Sequence, residues 1–475
     1  MAEMVIGSDG SLRAMQRSAQ GFWLADAGPV VARPPLAARV TADVVVIGGG
    51  YLGMWTAWHL RRAGADVVLL EADVCGHGPS GRNGGFLNGM WERVGELDEL
   101  FGREAALAVA READASIGNI EAWCAAQGVD AHLVRAPMLE VSCAPGQDGV
   151  WDDSVASARA MGRGDELLEV DAAGARAVCD SPLFRGGVLW RSAATVHPAR
   201  LALGLRGALI DAGVRVFEHS RVVGAQDGPA GVTVRVDGGA VLAGAGVLAI
   251  NHAAAGVRPL RGALSVASSH VVATEPVPDR LEALGWTGGE GIGDCRTMLH
   301  YLRTTRDGRV VFGWGGGRMG FGARRRGALD VDPGVQDATV RDLYDMLPAL
   351  RGARIEHAWG GPIDVSPVHL PWFGTLRSLH YGFGFTGNGV GPTELGGRIL
   401  ADLARGASTP LTALPIVGGL PPRRFPPEPA RFAGGSLIRA ALVRRDDAEA
   451  RGERIDPVTG FIASLPRRLG LHLPR

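Results

Sequence analysis

The chain has 475 residues, 46% of them hydrophobic and 21% charged, with a formal net charge of −1. That length supports more than one hydrophobic core, so two domains or two interleaved lobes are expected. The charge gives no field to steer nucleic acid or anionic lipid, and aromatic residues are not interleaved with basic runs, which argues against a nucleic-acid binder. Cys75, Cys124, Cys143, Cys179 and Cys295 are scattered without a CxxC pair, so neither a disulfide framework nor a metal site is expected. The N-terminus lacks the basic-then-apolar pattern of a secretory signal, and no apolar run reaches membrane-spanning length; a cytoplasmic protein without membrane insertion is expected. All 49 residues counted as Lys+Arg are arginine, which removes lysine from every mechanism.

Residues 1–40 read as an N-terminal extension. After them, "ADVVVIGGGYLGMWTAWHLRRAGADVVLLEAD" reads as strand, tight turn, helix, strand. Residues 44–47 form the continuous apolar run of a central parallel strand, residues 52–60 repeat apolar positions at helical spacing, and residues 67–70 resume the sheet. Between them stands Gly48-x-Gly50-x-x-Gly53. Gly48 permits the sharp turn, Gly50 lets backbone N–H groups approach a pyrophosphate, and Gly53 lets helix pack closely on strand. Glu71, followed by Ala72, ends the second strand where a carboxylate accepts hydrogen bonds from an adenosine ribose, and an acid there disfavours a 2′-phosphate.

A second glycine-rich loop, "CGHGPSGRNGGFLNGMW", follows at once with Ser80, Gly81, Arg82, Asn83, Gly84 and Gly85. It comes too early for the next unit of a nicotinamide domain. Close backbone along a ribityl chain and ring edge suits the longer FAD, although a flexible connection would use the same residue types.

Residues 95–180 are rich in Ala, Glu and Leu at helical spacing and read as a helical insertion. Residues 214–218, 232–236 and 247–250 have strand character, with a turn at Asp237-Gly238. Late in the chain, "YGFGFTGNGVGPTELGGRILADLARG" runs a loop with alternate glycines Gly387, Gly389 and Gly391 into an amphipathic helix that opens at Pro392. The positive end of that helix is suited to a site where negative charge accumulates.

The combination of "DVVVIGGGYLGMWTAWHL", "SGRNGG" and "GFTGNGVGPTELGGRILADL" resembles the FAD-dependent D-amino acid oxidase superfamily, in the branch that looks like gamma-glutamylputrescine oxidases. "ATVHPARLALGLRGALIDAGVRVFEHSRV", "AGVLAIN", "YLRTTRDGRVVFGWGGG" and "WGGPIDVSPVHLPWFG" extend the resemblance over most of residues 20–420. It implies an α/β fold of two lobes. A Rossmann-like FAD lobe (residues 41–95, 186–255 and 371–420) interleaves with a substrate lobe built on a mainly antiparallel sheet (residues 96–185 and 256–370), and residues 421–475 form a linker and helical tail. For the cofactor it implies contacts from Gly48, Gly50, Tyr51, Leu52, Gly53, Glu71, Ala72, the loop Ser80 to Gly85, Val222, Asn251, and Gly387, Asn388, Gly389, Val390, Gly391, Pro392 and Thr393.

The reaction implied is removal of hydride from a carbon bearing an amine, giving an imine that water hydrolyses, with reoxidation by molecular oxygen or another acceptor. Such a site must favour the neutral amine. His300 and His369 are candidate proton acceptors, and Trp91, Tyr301, Trp314 and Trp359 are candidate pocket walls for a small amine. Two departures from relatives stand out. The lysine thought to promote reaction with oxygen has no counterpart, and "WGGPIDVSP" has no thiol to tether the cofactor, so FAD is expected to be non-covalent. Alternatives are a dehydrogenase with a non-oxygen acceptor, an NAD(P)H-dependent flavin hydroxylase, and a flavin-binding subunit without turnover of its own. In the tail, Leu437, Ile438, Ala441 and Leu442 make one apolar helical face, expected to dock on its own protomer.

Overall fold

Two large sheets divide the chain, in a computed structural model that describes residues 15–228, 231–324 and 327–471. The first is built on the parallel strands Arg215–Phe217, Val67–Leu70, Arg39–Ile47, Gly239–Leu248 and Leu379–Phe383, with Gly231–Val236, Val222–Gly228 and Trp372–Leu376 added antiparallel. Residues 44–47 and 67–70 are buried throughout, as the continuous apolar runs require of strands covered on both faces. Helices Tyr51–Arg62, Pro198–Asp211 and Pro392–Ala404 cover this sheet.

The second sheet has nine strands, in the order Gln16–Arg17, Ile355–Val365, Ser265–Thr274, Val310–Trp314, His300–Thr304, Gly291–Asp294, Met138–Ser142, Gly186–Trp190 and Leu167–Asp171. It corrects the sequence reading in two places. The stretch 95–180 carries helices Val94–Phe101, Arg103–Gln127, Asp152–Ala160 and Ala172–Val178, but "MLEVS" and "LLEVD" are strands that flank Gly186–Trp190. Their Leu and Glu content favours helix locally, and pairing with a distant strand overrides it. Strand Gly186–Trp190 therefore sits in the nine-stranded sheet, although the resemblance puts residues 186–255 in the other lobe; the chain leaves that sheet at Ala193–Thr195, which pairs in a small sheet with Phe86–Asn88 and Val134–Arg135.

The N-terminal extension joins both halves. Gln16–Arg17 adds to one edge of the nine-stranded sheet, and helix Gly21–Ala27 lies against Trp359, so close that a Cβ on Gly21 would fall 2.5 Å from Trp359 Cγ. The extension is also tied to the buried Glu218: Arg206 forks onto the Glu218 carboxylate (2.7 and 2.8 Å) and donates to the Val31 carbonyl, while Arg33 and Cys75 N–H groups complete the acid's shell. The tail forms helices Ala430–Ala450 and Pro457–Arg468, and Ala441 and Leu442 pack with Ala463 beside Met298. Among the described residues no helix is long and apolar enough to cross a membrane.

Helices Tyr51–Arg62 and Pro392–Ala404 meet through glycine. A Cβ at Gly397 would stand 2.5 Å from Trp55 Cβ, and one at Gly396 2.7 Å from Leu52 Cδ1. Gly397→Ala raises helix propensity by up to about 1 kcal/mol, but the clash costs about 1–3 kcal/mol. The substitution should therefore lower the denaturant midpoint; a rise would show that the helices are not in contact there.

Candidate functional site

The turn after the first strand is built as its glycines require. Gly48 has φ +108° and donates to the Leu70 carbonyl at 2.8 Å, and a Cβ at Gly53 would be 1.9 Å from Gly48 O. Helix Tyr51–Arg62 starts at Gly50 with no side-chain cap from that residue, and Tyr51 N donates to Ser80 Oγ at 2.8 Å. Leu52 packs inside, and the Tyr51 hydroxyl donates to the Pro198 carbonyl. Glu71 accepts from Gly49 N (2.7 Å) and Asp73 N (2.8 Å), and burial pushes its carboxyl up. Ser220 N donates to the Glu71 carbonyl at 2.7 Å, so Glu71, Ala72 and the start of strand Val222–Gly228 come together at one end of the cradle.

The second loop is held from within and from behind. Asn83 donates to the Pro79 and Ser80 carbonyls and accepts from Gly85 N, a side-chain turn that fixes residues 79–85, Gly81 among them. Arg82 is buried and donates to Asp330 (3.0 Å) and to the carbonyls of Ala19 and Gly360, and its own carbonyl accepts Trp359 Nε1 at 2.7 Å. Trp359 is fully buried, so it braces this loop instead of lining a pocket. A Cβ at Gly84 would meet Phe86 and Tyr301; Gly85 has φ +78°.

At the other end, Asn251 (φ +47°) donates to Asp364 Oδ1 at 3.1 Å, and Gly384 N donates to Asp364 Oδ2. Asp364 is enclosed, and burial pushes its carboxyl up to about 7. The loop then runs through Gly387 (φ +86°), with Asn388 N donating to Phe385 O and Thr393 N to Gly389 O, into helix Pro392–Ala404, whose N-cap Gly391 supplies no side chain. Val390 and Thr393 are buried beneath the loop. A Cβ at Gly387 would meet nothing within 4 Å, and one at Gly389 only Phe385 at 3.5 Å.

The nine-stranded sheet turns one face to these loops. Tyr301 lies opposite Gly313 on one side and Gly293 on the other, and Gly293 lies opposite Glu140, so Glu140 and Tyr301 share that face across a bare glycine. The Tyr301 hydroxyl pairs with Ser269 Oγ at 2.7 Å, and its ring meets Phe86 edge-on. Glu140, and Glu92 in the turn Trp91–Arg93, are half-buried and desolvated by the protein around them. Burial pushes Glu140 up to about 7 and Glu92 up to about 8, and the Glu140 charge adds to the latter. Neither acid carries a motif in the sequence; the signal that finds Glu140 is cross-strand register.

The remaining sequence candidates scatter. His300 is on the opposite face from Tyr301, with Nδ1 2.8 Å from Asp294 and Nε2 3.0 Å from Asp342, in the core under helix Pro333–Met346. Burial opposes its charge, but Asp294 and Asp342 win and hold it above the usual range, the mark of a structural ion cluster. Trp314 is on that same far face, stacked on His300 beside Arg439 of the tail. Trp91 is in the core with the Arg163 guanidinium 4.6 Å from its ring. His369 (φ +54°) occupies a turn whose Val368 and His369 carbonyls accept Arg93, next to Glu92. Of the four aromatic candidates, Tyr301 and Trp359 share the sheet face toward the glycine loops, Tyr301 near Gly84 and Trp359 on the Arg82 carbonyl.

Residues 43–403 match the family model described as DAO, FAD dependent oxidoreductase. The chain is 30% identical over 439 residues to the gamma-glutamylputrescine oxidoreductase of Escherichia coli (strain K12), covering 90% of this chain and 96% of that one. It is 27% identical over 414 residues to the probable oxidoreductase OrdL of Rhizobium meliloti (strain 1021), covering 85% and 90%. The crystal structure of glycine oxidase from Geobacillus kaustophilus shares the fold, with a TM-score of 0.64 at 20% identity over 78% of this chain and 96% of that one. The residues here fit FAD: two helix starts without side-chain caps, open backbone at Gly387 and Gly389, and an acid closing the second strand.

Because Gly389 carries no positive φ and its added Cβ meets only ordinary contacts, the protein itself tolerates a side chain there. Gly389→Val should leave the unfolding midpoint of the flavin-free chain unchanged while weakening FAD by tenfold or more, about 1.4 kcal/mol. Unaltered FAD affinity would remove this loop from the cofactor site.

Proposed function

We propose that this chain, which belongs to the FAD dependent oxidoreductase family, oxidises the C–N bond of a primary or secondary amine to an imine that water then hydrolyses. When bound, FAD supplies the acceptor for the hydride leaving the amine-bearing carbon. The observation that carries the reading is a pair of desolvated acids: Glu140 on the Tyr301 face, with Glu92 near enough to feel its charge. The relatedness to a gamma-glutamylputrescine oxidoreductase points to the same substrate class.

An amine arrives as an ammonium, which has no lone pair to support a developing cation. Ionised Glu140 or Glu92 attracts that ammonium and takes its proton at a carboxylate oxygen, and a carboxyl raised toward 7 or 8 is a better acceptor than an ordinary one. The Tyr301 ring and Phe86 form an apolar wall for the substrate's carbon chain. The cofactor is held without a covalent bond. Cys75 Sγ is packed against Gly49, and burial pushes its thiol well above the range in which a nucleophilic thiolate forms.

Three outcomes are expected. Under nitrogen, at least one amine in a panel of polyamines, their acyl conjugates and N-alkyl amino acids bleaches the bound flavin. That readout is independent of whether oxygen or another carrier reoxidises it. Bleaching by NADPH alone would instead favour the hydroxylase reading, and reduction only with a partner chain the subunit reading. Below the carboxyl pKa values both acids are neutral and neither pair with nor deprotonate the ammonium, so kcat/KM should rise with pH through the range 7 to 8. Glu140→Gln should lower kcat/KM by roughly 10²-fold or more and flatten that limb; an unchanged profile would clear Glu140 of the role. Finally, acid precipitation should release yellow FAD into the supernatant, and flavin that stays with the pellet would contradict non-covalent binding.

A further inference from the structure

We propose a second small-molecule site in this protein, for an organic carboxylate, in the cavity between helix Gly21–Ala27 and the end of strand His300–Thr304. The cavity encloses about 190 Å³ and is lined by Phe22, Trp23, Asp26, His197, Arg303 and Thr305 among others. Arg303, only 4% exposed, is part of its wall. Nη1 donates to the Val196 and Gly85 carbonyls and Nε to the Thr304 carbonyl, while Nη2 has no acceptor among the described residues. No carboxylate among them lies within 4 Å of this guanidinium, and Trp23 Nε1 in the same wall also lacks an acceptor.

Every other cation and anion around the cavity has an opposite partner. Arg200 is 3.6 Å from Asp26, Asp26 is 3.0 Å from His197, Arg306 is 2.9 Å from Asp130, and Asp307 is 2.7 Å from Arg309. Arg303 is thus the one uncompensated charge, and burial alone pulls its guanidinium down to about 9, which leaves it cationic at neutral pH. A buried unpaired charge is costly, and an anion entering from the cavity relieves it.

One unpaired charge selects a monoanion, and a guanidinium fork with a free N–H suits a carboxylate. Phe22 and Trp23 give the acid an apolar wall, and the Trp23 ring centroid is 5.5 Å from Arg303 Cζ. An aromatic or short aliphatic acid of about the size of benzoate matches this combination. The same guanidinium also donates to the Gly85 carbonyl through Nη1, leaving Nη2 for the acid.

The test is equilibrium dialysis of radiolabelled benzoate against the flavin-loaded protein at constant ionic strength, with the flavin spectrum recorded and inorganic phosphate in a parallel arm. Saturable binding that leaves the flavin spectrum unchanged is expected, with phosphate weaker, and Arg303→Met should raise the benzoate Kd at least tenfold. Because Arg303 also supports the loop, Asp26→Asn gives an independent reading: removing a negative charge from the cavity wall should lower the Kd severalfold. Crystals soaked in 4-iodobenzoate should place the iodine between Trp23 and helix Pro198–Asp211. Absence of saturable binding, binding that perturbs the flavin spectrum, tighter phosphate, or an unchanged or higher Kd in Asp26→Asn would each overturn the assignment.

Discussion

The architecture depends on backbone approaching backbone where no side chain fits. Gly53 sits against the Gly48 carbonyl and Gly397 against Trp55, and these two contacts bring the starts of helices Tyr51–Arg62 and Pro392–Ala404 to the same edge of one parallel sheet. Each start leaves N–H groups without helical partners. A cofactor with a pyrophosphate at one end and an electron-accepting ring at the other would meet a positive dipole end at both. The chain closes the cradle with residues far apart in sequence: Ser220 on the Glu71 carbonyl, Asn251 and Gly384 on Asp364, and Trp359 on the Arg82 carbonyl.

The second lobe does its sorting by strand alternation. His300 and Tyr301 are neighbours in sequence, yet one enters an ion cluster with Asp294 and Asp342 while the other faces the glycine loops. Gly313 leaves room for the Tyr301 ring to lie over it, Gly293 stands on the other side, and the strand beyond contributes Glu140. A carboxyl on this face, removed from bulk water, is set near the titration range where it can exchange a proton with an amine.

The cofactor end was legible because its signals are local. Turn, helix start and strand end of the first motif fall within residues 44–71, and the late loop announces its helix with Pro392. The face that carries Glu140 was not legible, because Glu140, Gly293 and Tyr301 become neighbours only through the pairing of three strands, one of them hidden in a stretch with helical composition. Aromatic residues on promising segments misled for the same reason. Trp359 and Trp314 flank loops in sequence, but register and burial send one into a brace and the other to the far face.

The central claim is that a cationic amine meets carboxyls that are partly protonated at neutral pH. Binding of a quaternary ammonium, which carries no proton of its own and cannot be oxidised at nitrogen, isolates that step. Calorimetry of such a ligand with the flavin-loaded protein, repeated in buffers of different ionisation enthalpy, reads the protons exchanged. Proton release that is large near pH 7 and fades as the pH rises past 9 is the result expected from carboxyls raised to about 7 and 8. Binding with no proton release at either pH would contradict the account.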